Sequence, residues 1–169
     1  MKKGALTRAV SGFVLFSAGA ILANAQEIQT NLRGYEEVPT LSSPATGTFN
    51  ATVNEDATQV EYQLSYSGFT TPVQQAHLHL GRTAVNGGII IFLCSNLPNP
   101  PPNTPACPAT EGEVGGTLTP EGVIGPGEQG IAAGEFAELV EAIRNNAVYV
   151  NVHTEQFPPG EIRGQLRSE

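Results

Sequence analysis

The sequence predicts an all-β domain: a single antiparallel β-sandwich or barrel of about eight strands with one short helix. Short segments that alternate apolar and polar residues recur along the chain, as expected of half-buried strands. Gly and Pro are abundant, with 19 and 13 of the 169 residues, and they separate these segments as turn residues do. Only one segment places its apolar residues at helical spacing. No internal repeat or long linker interrupts the pattern, so we expect one domain.

Residues 1–25 are predicted to be a secretory signal peptide. A short basic lead precedes the apolar run "AVSGFVLFSAGAIL", and Ala23 and Ala25 have the small-x-small spacing that signal peptidase recognises. An uncleaved N-terminal anchor is the alternative. The domain then comprises residues 26–169. No other segment approaches the ~20 apolar residues of a membrane span. We therefore expect a secreted protein of the periplasm or the cell surface.

The charge of the chain excludes some partners. It has eight basic and 16 acidic residues, and three of the basic ones lie in the predicted leader. The remaining chain contains no lysine and has a net charge of −11. Such an acidic domain lacks the clustered cations that nucleic acids and anionic membranes require, so neither is an expected partner.

The first predicted strands occupy the N-terminal half of the domain. "EIQTNLRG" is the first strand, and the proline-containing segment that follows is a loop in which Glu36 and Glu37 are expected to be solvated charges. "TGTFNATVNED" and "TQVEYQLSYSGF" both alternate with a period of two and are predicted to form a hairpin through "NEDA". Val60, Tyr62 and Leu64 should share one face of the second of these strands.

The C-terminal half contains the remaining elements. "QQAHLHLG" is a strand, "NGG" at 86–88 predicts a turn, and "IIIFL" at 89–93 is an apolar strand, either buried on both faces or at the sheet centre. "GEVGGTLT" is a short strand. "GEFAELVEAIRNN" is the one predicted helix, and its apolar stripe is expected to pack on the core. "AVYVNVHT" and "GEIRGQLRS" are the last two strands, joined by "EQFPPG".

Cys94 and Cys107 flank the proline-rich segment "SNLPNPPPNTPA". In an oxidising compartment a disulfide that closes this loop is the expected arrangement. In the chain-entropy model a loop of this size contributes about 3 kcal/mol. A Cys/His metal site is an alternative, although the spacing fits no zinc-ribbon pattern.

Three predicted strands place aliphatic residues on one face and polar residues on the other, because side chains at i and i+2 share a face. The polar sets are His77 and His79; Tyr149, Asn151 and His153; and Glu161, Arg163 and Gln165. The last two strands are expected to pair. Periodicity does not show whether the His77 strand lies beside them, but if it does, the sets form one polar face.

Histidines at i and i+2 of a strand stand ~6.5–7 Å apart at the backbone, so their rings can lean together on one ion. His77, His79 and His153 are therefore candidate ligands for copper or zinc. Asn151, Thr154, Glu161 and Arg163 are candidate surrounding residues. Glu161 could be a fourth ligand or an acceptor that fixes a histidine tautomer. Arg163 disfavours a cation unless Glu161 neutralises it.

Two alternatives to a metal site are a hydrogen-bonded structural cluster and a site for an organic ligand. No serine sits in a nucleophile elbow and no Gly-rich phosphate loop is present, so no enzymatic activity is expected. A metalloenzyme analogous to the copper/zinc superoxide dismutases, which are also β-sandwiches with a His-x-His strand, is the weakest hypothesis. Three histidines are too few for two metals.

Two motifs, "AHLHLGRTAVNGGIIIFL" and "AVYVNVHTEQFPPGEIRGQL", resemble the CHRD domain, in a secreted microbial member, and the resemblance covers roughly residues 27–168. It implies an extracellular or periplasmic all-β module, immunoglobulin-like or Greek-key, without catalytic activity. The expected function is a ligand-binding or structural role centred on the His/Glu/Arg face, and copper or zinc binding is the alternative. An extracellular protein, a glycan and a metal ion all remain open as partner. The family pattern retains His77, His79, His153, Thr154, Gly160, Glu161, Ile162, Arg163 and Gly164.

Overall fold

The computed structural model describes Met1 and residues 25–167, so the predicted signal peptide lies almost wholly outside the described residues. Within them, eight strands form one antiparallel sheet and there is one α-helix, which confirms the predicted fold class. The strands are β1 Gln26–Arg33, β2 Thr46–Val53, β3 Val60–Ser67, β4 Val73–Leu80, β5 Ile89–Ser95, β6 Gly112–Leu118, β7 Val148–Thr154 and β8 Ile162–Gln165, and helix α1 is Phe136–Arg144. Three short 3₁₀ helices are Gly34–Glu36, Pro120–Gly122 and Gly127–Gln129.

The sheet has the strand order β5-β4-β7-β8-β1-β2-β3-β6 and curls into a nearly closed barrel. The two edge strands, β5 and β6, approach each other across the seam. There the hydroxyl of Tyr62 donates to the carbonyl of Leu93, and Ile91 forms an isolated bridge with Val123, just after β6. Because the sheet closes on itself, one face of each strand points into a shared interior.

The interior is filled by the residues that the alternation assigned to it. In β3, Val60, Tyr62 and Leu64 are buried and the residues between them are exposed, as predicted. Helix α1 buries its apolar stripe, Phe136, Leu139, Val140 and Ile143, in the same cluster. Burial of one such large apolar side chain contributes about 1.5–3 kcal/mol, so the helix is held mainly by packing.

Two predicted local features are confirmed. The β2–β3 hairpin turns through Asn54, whose side-chain oxygen accepts from the backbone N–H groups of Thr58 and Gln59, both at 2.9 Å. The disulfide Cys94–Cys107 closes the proline-rich loop, so these cysteines are not available to a Cys/His metal site.

Of the two alternatives for β5, burial on both faces is confirmed and a place at the sheet centre is not. Strand β5 lies at an edge, yet its consecutive residues Ile90 and Ile91 are both buried, because the nearly closed seam covers the second face. The expectation of a turn at 86–88 is wrong. The turn after β4 is formed by Arg82–Val85, with a backbone hydrogen bond of 3.1 Å, and not by the segment 86–88. Asn86 instead donates its side-chain amide to the carbonyl of Val38.

Within residues 25–167, no helix is long and apolar enough to span a bilayer.

Candidate metal centre

The three strands that carry the polar motifs are neighbours in the sheet. Strand β4 pairs with β7, and β7 pairs with β8 as predicted. The register places His77 beside Asn151 and His79 beside Tyr149 on one side, and Arg163 beside Asn151 on the other. We call the resulting outward-facing set the polar array: Gln75, His77, His79, Tyr149, Asn151, His153, Glu161, Arg163 and Gln165. Gln75, which aligns with His153, was not among the predicted residues.

The polar array is covered. His77 is 0% exposed, Asn151 3% and Arg163 2%, although these side chains point away from the barrel interior. Two loops, residues 34–43 and residues 81–88, hydrogen-bond to the array. The polar side chains are therefore buried together with hydrogen-bonding partners, as buried polar groups generally are.

The three histidines converge. One ring nitrogen of each lies within 4.8 Å of one ring nitrogen of each of the other two. Three points no more than 4.8 Å apart all lie within about 2.8 Å (4.8 Å divided by √3) of a common point, compared with a metal–nitrogen bond of about 2.0–2.1 Å. Contraction of less than about 1 Å per ring would bring all three imidazoles to bonding distance.

Backbone carbonyls fix the tautomers of two of these histidines. His79 Nδ1 lies 3.0 Å from the carbonyl oxygen of Gly87, and His153 Nδ1 lies 2.8 Å from that of Pro158. Because a carbonyl only accepts, both Nδ1 atoms carry a proton and both Nε2 atoms present a lone pair. Metal-binding histidines are commonly oriented by such a hydrogen bond from the other ring nitrogen.

The same logic extends to His77. Its Nδ1 lies 3.1 Å from Nε2 of His153. Because the hydrogen bond to Pro158 places the His153 proton on Nδ1, Nε2 of His153 is an acceptor, and Nδ1 of His77 therefore donates to it. The Nε2 atoms of His77 and His79 are then bare acceptors, and both are buried without a hydrogen-bond partner among the described residues. A buried unsatisfied acceptor costs about 1–3 kcal/mol, and these two lone pairs are open to a hydrogen-bond donor or to a metal ion.

All three imidazoles are neutral at pH 7. Burial, together with the nearby charges of His153 and His79, lowers the pKa of His77 to about 2. Burial also lowers the pKa of His79 to about 4, against the opposing effect of its hydrogen bond to Gly87. The pKa of His153 is lowered by burial too. Neutral imidazole is the form that binds metals.

Arg163 is occupied by other partners. Its guanidinium lies 3.4 Å from the centre of the Tyr149 ring and donates to the carbonyls of Arg82 and Val85 and to the side chain of Asn86. The His79 ring also stacks on Tyr149, at 4.8 Å and 6°. Because His79 and Arg163 lie on the two strands that flank β7, the Tyr149 ring stands between the cation and the histidines.

The hydrogen-bond donors to Glu161 are hydroxyl groups and not histidines. Its two carboxylate oxygens accept from Ser43 at 2.7 Å and from Thr154 at 2.6 Å. Glu161 therefore links the loop at 34–43 to β7. It does not fix a histidine tautomer, because the backbone carbonyls of Gly87 and Pro158 do so for His79 and His153. Asn151, although it lies beside His77 in the sheet, donates its side-chain amide to Glu37 at 2.7 Å.

The expectation that Glu37 is a solvated charge is wrong. Its side chain is buried against Asn151, and burial raises its pKa to about 7. The physical reason is the 3₁₀ turn Gly34–Glu36, which folds the loop back over the polar array. Sequence alternation gives no information on a loop that folds in this way.

The sequence also did not identify Phe92, Gly87 and Pro158 as parts of the site. The Phe92 ring packs edge-on against His77 at 4.3 Å. Gly87 and Pro158 act through carbonyl oxygens, and every residue carries one. Such contacts leave no signal in the sequence, although the Asn-Gly-Gly segment did predict a turn at Gly87.

Comparison with known proteins gives one match. A family model for the CHRD domain matches residues 28–166, a span that includes the whole polar array. CHRD domains are extracellular modules without enzymatic activity. No curated protein and no solved structure matches the chain.

Proposed function

The chain belongs to the CHRD domain family, and from this premise we propose that it is an exported, non-catalytic module that binds one transition-metal ion, copper or zinc, through His77, His79 and His153. The observation that carries the proposal is the pair of buried, unpartnered Nε2 atoms on His77 and His79, next to a third imidazole. Neutral imidazoles with carbonyl-fixed tautomers are suited to copper and zinc.

Export is supported by two observations. The disulfide Cys94–Cys107 is of a kind that persists in oxidising compartments. CHRD domains are extracellular modules. The predicted signal peptide supplies the route.

Burial supports a non-catalytic role. His77 is fully buried, and His79 and His153 are buried as well. An ion at this centre would be enclosed by its ligands and by the loops at 34–43 and 81–88, which leaves little room for a substrate. A closed site of this kind suits storage, transfer or structural stabilisation.

The test is metal binding by protein that was purified without a polyhistidine tag and stripped with a chelator. Addition of copper or zinc should give one bound ion per chain by elemental analysis. At a free metal concentration of 100 times the Kd, the fold gains about 2.7 kcal/mol, and each kcal/mol raises the Tm of a domain of this size by about 2–4 °C.

The matched variants are His79→Gln and Gln75→Ala. The first removes a ligand and should lose the metal-dependent rise in Tm. The second changes a neighbour of His153 that offers no imidazole, and it should keep the rise. Absence of bound metal and of any Tm shift in the wild-type protein would refute metal binding.

A second candidate, a metal-free structural cluster, is favoured by the hydrogen bond between His77 and His153 and by the contact of Phe92 with His77. It predicts a Tm that is indifferent to metal and to chelators. It also predicts that His77→Phe, which removes the hydrogen bond to His153 and leaves the buried Nε2 of His153 without a partner, lowers the unfolding free energy by about 1–3 kcal/mol in the absence of metal.

A further inference from the structure

Resting on the proposed function, we infer that the three-histidine centre is selective for copper(I), held by three nitrogen atoms, over zinc(II) and copper(II). The inference concerns the identity and charge of the ion, which the proposed function leaves open. It follows from the number of donors, from their charge and from the groups that enclose them.

The centre offers at most three donors: the Nε2 lone pairs of His77 and His79 are free, and that of His153 becomes available when it gives up its hydrogen bond from His77 Nδ1. Among the described residues, the one group of His, Cys, Asp or Glu side chains placed to hold an ion consists of His77, His79 and His153. Glu161 has both carboxylate oxygens engaged by hydroxyl groups. Structural zinc sites use four protein ligands in a tetrahedron, and copper(II) prefers tetragonal coordination. Copper(I) and zinc(II) both have a filled d shell, but the singly charged copper(I) is stable with two or three nitrogen donors, whereas zinc(II) completes a tetrahedron.

The donors are neutral, which favours a monovalent ion. The desolvation energy of an ion rises with the square of its charge, so a divalent ion in the same buried site costs about four times as much as a monovalent one. No carboxylate binds directly to offset that cost, since Glu37 and Glu161 are engaged by Asn151, Ser43 and Thr154. The Arg163 cation, on the other side of Tyr149, adds to the unfavourable field.

Aromatic rings line the approaches to the histidines. Phe92 packs edge-on against His77 at 4.3 Å, and Tyr149 stacks on His79 at 4.8 Å. Zinc(II) with three protein ligands completes its coordination with a water molecule. The two rings and the full burial of His77 restrict the space for such a water, whereas three-coordinate copper(I) needs none.

The test is an anaerobic competition for metal between the protein of residues 26–169 and small-molecule chelators. Copper(I), supplied as its acetonitrile complex, competes with bicinchoninate, and zinc(II) competes with a zinc-binding dye. We expect one copper(I) per chain, bound more tightly than zinc(II), and a copper X-ray absorption spectrum typical of three nitrogen ligands. Gly127→Ala, where a Cβ meets nothing within 4 Å, should reproduce the wild-type values.

His79→Gln separates the two ions further. It leaves the Nε2 atoms of His77 and His153 as donors, and copper(I) is stable with two nitrogen donors, so copper(I) binding should be weakened but measurable, whereas zinc(II) binding should be lost. Tighter or equal binding of zinc(II) by the wild-type protein would overturn the copper(I) inference and leave the proposed function standing. A stable tetragonal copper(II) complex, seen by electron paramagnetic resonance, would also overturn the copper(I) inference and leave the proposed function standing. Binding of no metal would overturn both.

Discussion

Nδ1 of His77 lies 3.1 Å from Nε2 of His153, although 76 residues separate them in the chain. The contact follows from the β4–β7 register, which aligns Gln75 with His153 and His77 with Asn151 and so makes the two histidines diagonal neighbours on one face. Two imidazoles this close and this buried cannot both be protonated. The metal-free protein should therefore be sensitive to acid.

We expect the free energy of unfolding of the metal-free protein to decrease as the pH falls. The pKa values of His77 and His79 are lowered from 6.5 to about 2 and about 4. Below pH 6.5 these two histidines therefore become protonated in the unfolded chain while they stay neutral in the folded protein. Urea unfolding should show a loss of at least about 2 kcal/mol between pH 7 and pH 4.5. Equal stability at the two pH values would contradict buried neutral histidines.

Glu37→Gln should gain stability relative to the wild type as the pH rises. Burial raises the pKa of Glu37 from 4.5 to about 7, so its favourable contribution is present at low pH and is lost as the carboxyl ionises. Glutamine keeps an oxygen that accepts from Asn151 and does not titrate. The charged groups that also influence the pKa of Glu37 are Arg163 and Glu161. From pH 5 to pH 8 the difference in unfolding free energy should move by about 1–2 kcal/mol in favour of the variant.

The control for that measurement is Glu36→Gln, which changes the exposed neighbour of Glu37 in the same loop. Its stability relative to the wild type should vary little with pH. An unchanged difference for Glu37→Gln between pH 5 and pH 8 would show that Glu37 titrates as a solvated carboxylate.

Arg163→Lys should loosen the loop at 81–88. The guanidinium donates to the carbonyls of Arg82 and Val85 and lies on the Tyr149 ring, and lysine cannot reproduce this planar fork. We expect a loss of about 2–3 kcal/mol and faster hydrogen exchange of the loop amides. The exposed Arg82→Lys, in the same loop, is the control. Slow exchange retained in Arg163→Lys would argue against the anchoring role.

Gly87→Ala should weaken metal binding without removing a ligand. A Cβ at this position would lie 1.6 Å from the carbonyl oxygen of Leu80, so the loop must shift and with it the carbonyl that orients His79. Loss of such an orienting contact reduces metal affinity by about 10–100-fold. Gly127→Ala, where a Cβ meets nothing within 4 Å, is the control. Unchanged affinity in Gly87→Ala would show that His79 does not need this carbonyl.

Alternation along each strand was sufficient to predict which way its side chains point. In β7, Val150 and Val152 were assigned to the core and His153 to the opposite face, and the structure agrees. The β2–β3 hairpin, helix α1 and the disulfide were likewise identified. These features depend on local backbone geometry, on short-range turn chemistry or on the scarcity of cysteine, all of which can be read within a short window of sequence.

Three features depend on long-range packing and could not be predicted: β4 lies beside β7, β5 occupies an edge, and Glu37 folds over the polar array. Ladder hydrogen bonds join backbone groups that every residue carries, so they do not name a partner strand. That choice depends on the burial summed over the whole barrel. The meeting of His77 with His153 is such a long-range outcome, as are the carbonyls of Gly87 and Pro158 that fix the imidazole tautomers.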